Sequence, residues 1–316
     1  MKQPLKIIFA GSSSFSKEPL KALYDMDYEI VGVLTQPDKK QGRGQKRGAN
    51  PIKALAIDFG LKILDMPDLK TDSAFLEIQE LNPDVILTAS YGNFIPQQIL
   101  NLATIDTLNI HPSLLPQWRG ATPIQASILN GDTETGVSLI RMTSELDAGP
   151  VFTSEVINVD EQETHQTLSI KLSLLSATMI KESLKKILSG KIEPKEQKEE
   201  EATFCKKISK ADGEISWHKS AKAINRSIKA YNPWPIAYTY IDNKYLRLWD
   251  SAIDNSGPQS GRPGEVIALQ SDGVLIQTGS GSLIIKSLQL EGRKQINALD
   301  FIKGFPMMGK VLGLKQ

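Results

Sequence analysis

The strongest constraint in this 316-residue chain is a change of rhythm partway along it. The first part alternates short apolar runs with helix-spaced segments. LKIIFAG (5–11), EIVGVLTQ (29–36), DVILTAS (84–90) and TLNIHPS (107–113) are rich in Val, Ile and Leu and read as strands. Between them, EPLKALYDM and PIKALAIDFG carry apolar residues at helical spacing. Strands that alternate with helices are joined by crossovers, which predicts a mainly parallel sheet. The near-continuous apolar runs fit a sheet covered on both faces. GVSLIRMT (136–143) and PVFTSEVINV (150–159) predict further strands. The segment 164–190 predicts a long amphipathic helix, with Gly190 as its stop.

KIEPKEQKEEEATF (191–204) is charged, contains a proline and lacks apolar periodicity, so it reads as a linker. After it the texture differs. One helical stretch, SAKAINRSIKAYN (220–232), is followed by AYTYID, YLRLWDSA, GEVIALQSD, GVLIQTGSG and SLIIKSLQL. Short strands at such regular spacing predict a small β-barrel or sandwich. SDG (271–273) and TGSG (278–281) are its expected hairpin turns. The expected class is α/β. It divides into a domain with a mainly parallel sheet over 1–190, a linker over 191–208 and a small β domain over 209–316.

Composition narrows the function. The apolar run at the N-terminus is too short for a signal peptide or a membrane span, and the single Cys205 forms no internal disulfide. A cytoplasmic protein away from membranes is expected. His111, His165 and His218 are far apart in sequence, so no zinc site is expected. A net charge of +1 conceals an asymmetry. From Lys206 onward there are 16 basic and 9 acidic residues, whereas the preceding part carries a net −6. Within that acidic part, TQPDKKQGRGQKRGANPIK (35–53) holds six basic residues and one acidic. Two separated basic regions point to an extended polyanion, nucleic acid before membrane. Ordinary solvated faces are the alternative on charge alone.

The chemistry concentrates in LNIHPSLLPQWRGATP (108–123). Asn109 and His111 are two apart on a predicted strand, so both side chains share one face near its end. Ligands of open parallel sheets bind beyond the carboxyl ends of strands. An amide donor beside an imidazole suits a tetrahedral intermediate that carries an oxyanion. Asp147, in SELDAGPVF (144–152), adds a carboxylate able to hold and relay protons. Each also has a plain reading: a core histidine bonded to backbone, or an Asp before Gly in a turn.

NIHPSLLPQWRGATPIQASILNGDTETGVSLIRMTSELDAGPVF resembles the core of the folate-dependent formyltransferases. The marks are an Asn, a His two residues later, SLLP, an RG pair and a distant LDAG. The resemblance extends through LTQPDKKQGRGQ, NPIKALA, ASYGNFIP, ADGEISWHKSAKAINRSIKAYNPWPIAYT and GRKQINALDFIKG. These are similar to the branch of the family that formylates methionine on initiator tRNA. Two stretches depart from the usual pattern. GSSSF (11–15) stands where Gly-Thr-Pro is common, and Pro112 resembles the branch that acts on a purine ribonucleotide.

The resemblance implies a Rossmann-like formyltransferase domain, a linker and an OB-like barrel. It implies Asn109, His111 and Asp147 as the catalytic set and 10-formyltetrahydrofolate as the formyl donor, with no metal. It assigns the folate wall to Ser113, Leu114, Leu115 and Pro116, with Tyr91, Gly92 and Ile95 as further candidates. It assigns tRNA phosphates to Arg43, Lys46 and Arg47 of the basic loop and to Lys206 and Lys207. A monomer is expected. The competing functions are a formyltransferase for a sugar nucleotide or ribonucleotide, and an RNA-binding relative without activity.

Overall fold

The structure is a computed structural model that describes residues 4–41, 46–48, 50–256 and 260–313, with 39–41 and 46–48 described as backbone alone. The chain forms two compact units. The first comprises Met1–Pro123, Glu134–Asn158 and Ser169–Lys206, and the second Ile124–Thr133, Val159–Leu168 and Lys207–Gln316.

The first unit is built on a seven-stranded sheet. Its strands are β1 (Lys6–Gly11), β2 (Glu29–Leu34), β3 (Ile63–Leu64), β4 (Val85–Ala89), β5 (Asp106–His111), β6 (Glu134–Arg141) and β7 (Val151–Asn158). The order is β7-β6-β5-β4-β1-β2-β3. The pairs β1–β2, β2–β3, β1–β4 and β4–β5 are parallel, while β5–β6 and β6–β7 are antiparallel. The sheet is therefore mainly parallel, as the sequence predicts, with an antiparallel edge. Every residue of β4 is buried, which explains its unbroken VILTA run. On one face Ile8, Ala10, Leu34 and Ile86 pack with Ala74 and Ile78 of the helix Asp72–Glu80.

The chain runs outward from β1 to β3 and then returns to β4 and β5 on the other side of β1. The strand order reverses between β1 and β4, which is where a doubly wound sheet opens a crevice. The loops that leave these strands are tied together. Ser12 N donates to Ser90 O at 3.3 Å, Gln36 N to Ser12 Oγ at 3.0 Å, and Gln36 Nε2 to Tyr91 O at 3.0 Å. Ser16 Oγ donates to Ala89 O. The GSSSF departure thus supplies one such hydroxyl, that of Ser12, and Ser16 just after it supplies another, linking the end of β1 to its neighbours.

The expected long helix spans His165–Leu188, and Gly190 follows it at φ +71°. Residues 191–206, read from sequence within a linker, pack in the first unit. Lys195 and Val151 exchange backbone hydrogen bonds at 2.8 Å each way, and Phe204–Cys205 pairs parallel with Arg119–Gly120.

In the second unit, β8 (Ala237–Ile241), β9 (Lys244–Asp254), β10 (Val266–Gln270), β11 (Gly273–Gln277) and β12 (Ser282–Leu290) form an antiparallel sheet. Its order is β8-β9-β12-β11-β10. Leu246, Leu248, Val274, Ile276, Leu283 and Ile285 fill its core, and the helix Ala221–Ala230 packs on β9. The two expected hairpin turns are present. Gln270 pairs with Gly273 around Ser271 and Asp272, and Gln277 pairs with Ser282 around TGSG.

NPIKALA forms the start of the helix Pro51–Asp58. Asn50 Oδ1 caps it by accepting from Ile52 N at 3.1 Å and Lys53 N at 3.0 Å. The Asn50 amide nitrogen donates to Thr35 Oγ1 at 2.7 Å and Gln36 O at 2.8 Å, so one side chain joins the helix to the end of β2. Replacing Asn50 by Ala is expected to cost about 0.5–2 kcal/mol of stability. A urea denaturation midpoint unchanged from wild type would contradict this.

Candidate active site

Asn109 and His111 emerge on one face of β5, as their spacing requires. Register places Thr88 of β4 directly beside Asn109. Thr88 Oγ1 donates to Asn109 Oδ1 at 2.7 Å. That bond fixes the amide, because its oxygen is occupied and its nitrogen is left to face the other way. Asn109 Nδ2 donates to Asp147 Oδ1 at 3.3 Å.

Asp147 comes from the loop between β6 and β7. Its Oδ2 accepts from Gly120 N at 2.9 Å, and its Oδ1 lies 3.6 Å from His111 Nδ1. The side chains of His111 and Asp147 are only 5% and 11% exposed, so this pair is largely shielded from water. The opposite ring nitrogen is also occupied. His111 Nε2 lies 3.0 Å from Trp118 O. A carbonyl only accepts, so Nε2 carries a hydrogen and Nδ1 is the nitrogen that can gain or lose a proton toward Asp147.

Backbone geometry enforces these contacts. Trp118 and Asp147 both have φ in the left-handed region, at +60° and +52°. An aspartate tolerates this conformation, whereas a tryptophan there stores strain of the kind that concentrates at functional sites. Gly120 sits at φ +121°, and a Cβ there would lie 2.3 Å from Cys205 O. At Gly149 a Cβ would fall 1.8 Å from Arg141 O. Both glycines allow backbone to approach where a side chain would block it.

Cys205 lies beside this network. Its Sγ donates to Trp118 O at 3.4 Å and accepts from Thr122 N at 3.3 Å. Burial pushes the thiol upward from its ordinary pKa, and the negative charge of Asp147 adds to the effect. The thiol therefore stays protonated as a donor.

Of the other residues singled out from the sequence, Ser113 is fully buried and turned into its own loop. Its hydroxyl donates to Gln117 O at 2.6 Å, and its carbonyl accepts from Ser138 Oγ at 2.8 Å. Leu115 N donates to Ser138 Oγ at 3.1 Å. Leu114, Leu115 and Pro116 are half-buried. Tyr91 and Ile95 belong to the apolar cluster under the sheet, and Gly92 is exposed at φ +80°. Lys206 and Lys207 are exposed. Arg43 lies outside the described residues, as do the side chains of Lys46 and Arg47. Among the described residues no group of three or more His, Cys, Asp or Glu is placed to hold a metal ion.

A mainly parallel sheet carrying this Asn-His-Asp cluster, followed by an antiparallel β unit, defines the class. Residues 5–184 match the family model described as formyl transferase, and residues 207–306 match its C-terminal domain. The chain belongs to the formyl transferase family. It is 39% identical over 313 residues to the methionyl-tRNA formyltransferase of Hydrogenovibrio crunogenus, covering 99% of this chain and all of that one. It is 38% identical over 302 residues to that of Caldanaerobacter subterraneus, covering 95% and 97%. Among solved structures, HypX from Aquifex aeolicus in complex with tetrahydrofolic acid aligns at TM-score 0.66 and 20% identity, over 96% of this chain and 48% of that one. The sugar formyl transferase WlaRD aligns at TM-score 0.67 and 19% identity, over 93% and 100%. At those identities the likeness is one of fold.

Sequence reasoning did not single out Thr88, Trp118 or Gln197. Thr88 could have been found by pairing the two strands in register. Trp118 acts through its backbone carbonyl, which leaves no mark in residue type, and Gln197 acts through a side-chain amide whose partners lie 48 to 78 residues away. Gly149→Ala is expected to leave the LDAG loop unable to close against β6. Loss of soluble folded protein, or a marked fall in Tm, would show it; a variant as stable and active as wild type would not fit.

Proposed function

We propose that the chain transfers the formyl group of 10-formyltetrahydrofolate to the α-amine of methionine esterified to initiator tRNA, with Asn109, His111 and Asp147 as its catalytic residues. The observation that carries this reading is the meeting of Asn109 Nδ2 and His111 Nδ1 at Asp147 Oδ1, at 3.3 and 3.6 Å. Likeness at 38–39% identity over nearly the whole chain to relatives named for this activity supports the choice of acceptor.

The reaction needs a neutral amine at the formyl carbon. Free α-amino groups titrate at about 7.7–8.0, and esterification lowers this, so a neutral fraction exists near pH 7. Attack forms the new carbon–nitrogen bond and places an oxyanion on the former formyl oxygen. Asn109 Nδ2 and a protonated His111 Nδ1 are its donors. Asp147 takes the proton that the attacking nitrogen must lose, and that proton ends on N10 of the folate as the bond from N10 to carbon breaks. Positioning of two large substrates contributes the remainder of the rate.

The folate lies along the SLLP loop, against Leu114, Leu115 and Pro116. Ser113 supports that loop from beneath, and Gly92 borders it. Tyr91 and Ile95 shape its wall from the core. Lys206, Lys207 and the basic loop with Arg43, Lys46 and Arg47 hold tRNA phosphates, and the excess of basic over acidic residues beyond Lys207 adds positive charge for the same polyanion. A division near residues 191–208, a monomeric state and a cytoplasmic location belong to the same reading. No described helix is long and apolar enough to cross a membrane.

With formyl donor and charged initiator tRNA supplied, His111→Ala and Asp147→Asn are each expected to lower kcat by about 10²–10³-fold. Turnover of Asp147→Asn equal to wild type would refute the assignment. Acceptor binding should also weaken steeply with salt, because phosphate contacts release counterions. A flat salt series, with transfer to a sugar nucleotide instead, would favour that acceptor.

A further inference from the structure

The segment 195–205 is polar and lacks the period of a helix or strand, yet it lies against both loops that build the site. Thr203 N donates to Pro116 O at 3.2 Å, and Thr203 O accepts from Arg119 N at 2.9 Å. Trp118 N donates to Thr203 Oγ1 at 2.8 Å. The segment therefore holds the stretch whose Trp118 carbonyl meets His111.

Gln197 makes the second attachment. Its Nε2 donates to Asp147 O at 2.8 Å and to Gly149 O at 2.7 Å. Both donors of one amide nitrogen are spent on the turn that presents the carboxylate. Its Oε1 accepts from Arg119 Nε at 3.0 Å. Arg119 is itself 2% exposed, and its Nη1 is forked onto Glu199 at 3.1 and 2.8 Å. The direction of the Gln197 amide is thus set by a buried guanidinium, which can only donate.

We infer that Gln197 is a positioning residue for the formyl transfer proposed above: it holds the left-handed Asp147 turn so that the carboxylate stays between Gly120 N, Asn109 and His111. Asp147 at φ +52° has no ladder bonds to keep it in place. Two charge-neutral donors on the carbonyls of residues 147 and 149 stop the turn from relaxing. The inference rests on the catalytic reading of Asp147, and it names a residue that never touches substrate.

Gln197→Glu separates positioning from mere packing. Glutamate keeps an acceptor for Arg119, so the segment stays docked. It offers no N–H to the two carbonyls and places negative charge against them. The expected result is a kcat lower by about 10²-fold, as for a misplacement near 1 Å. KM for both substrates should stay within about twofold, because ground-state binding is untouched. Gln197→Ala, which lacks the added charge, should also lose kcat. Amide hydrogen exchange gives a readout independent of activity. The Gly120 amide should exchange faster in both variants, while those of Arg119 and Val151, bonded to Thr203 O and Lys195 O, stay as protected as in wild type.

Wild-type kcat in Gln197→Glu would overturn the inference, and so would a loss confined to KM. Unchanged protection at Gly120, or equal loosening along the whole segment, would do the same. A wild-type protein that transfers no formyl group to the charged tRNA would sink the functional reading instead, and the exchange measurement would still decide whether Gln197 holds the Asp147 turn.

Discussion

The arrangement of the first unit turns on one carboxylate held mostly out of water. An Asp side chain exposed by only 11% must find replacements for the solvent it has lost. Asp147 finds them in Gly120 N on one oxygen and Asn109 Nδ2 on the other, with His111 Nδ1 alongside. Each partner imposes a further condition. Gly120 has to bring its backbone close, which its φ of +121° and lack of a Cβ permit. Asn109 has to point its nitrogen rather than its oxygen, which Thr88 ensures. The LDAG turn has to pass close to Arg141, which Gly149 allows.

The two edges of His111 divide the work. Nε2 is committed to a backbone carbonyl, so the ring is held in one orientation and Nδ1 is left facing Asp147. The carbonyl is supplied by Trp118 in a strained backbone conformation. That strain is held in place by bonds from residues 203 and 205, which belong to another part of the sequence. The imidazole, amide and carboxylate are therefore held in fixed relative orientation by the protein itself, the condition under which electrostatic stabilisation of the proposed transfer is most effective.

Much of this was legible in the sequence where local rules decide. The buried strands announced themselves by unbroken β-branched runs, and Asn109 and His111 shared a face because strand side chains alternate. Gly190 and the TGSG hairpin were marked by residues that favour a positive φ or a tight turn. Tyr91 and Ile95, singled out beside the folate, are core residues of the same sheet. Both roles call for an apolar side chain, so type alone could not tell them apart. The segment 191–204 is more instructive, because its hydrogen bonds to the first unit left no trace in its sequence. A polar segment that docks through hydrogen bonds carries no hydrophobic period, and KIEPKEQKEEEATF reads as solvent-facing chain. Gln197 differs from its charged neighbours only by lacking charge, and that is the property that lets it donate to two carbonyls at little desolvation cost.

The distances along the chain explain why such a site can be assembled from afar. Asn109 and Asp147 are 38 residues apart, Asp147 and Gln197 50, and Arg119 and Gln197 78. Closing a loop costs entropy that grows only with the logarithm of its length, by about 0.6 kcal/mol per doubling. Recruiting position 197 in place of a nearer residue therefore carries a small penalty once the sheet has fixed both anchors. A nearer residue would have to come from the LDAG turn itself, where Gly149 and Pro150 are already committed to the close passage beside β6. A distant segment is free of that constraint. It can approach the carbonyls of 147 and 149 from outside the turn, and its geometry can be set by a buried arginine that the turn does not contain.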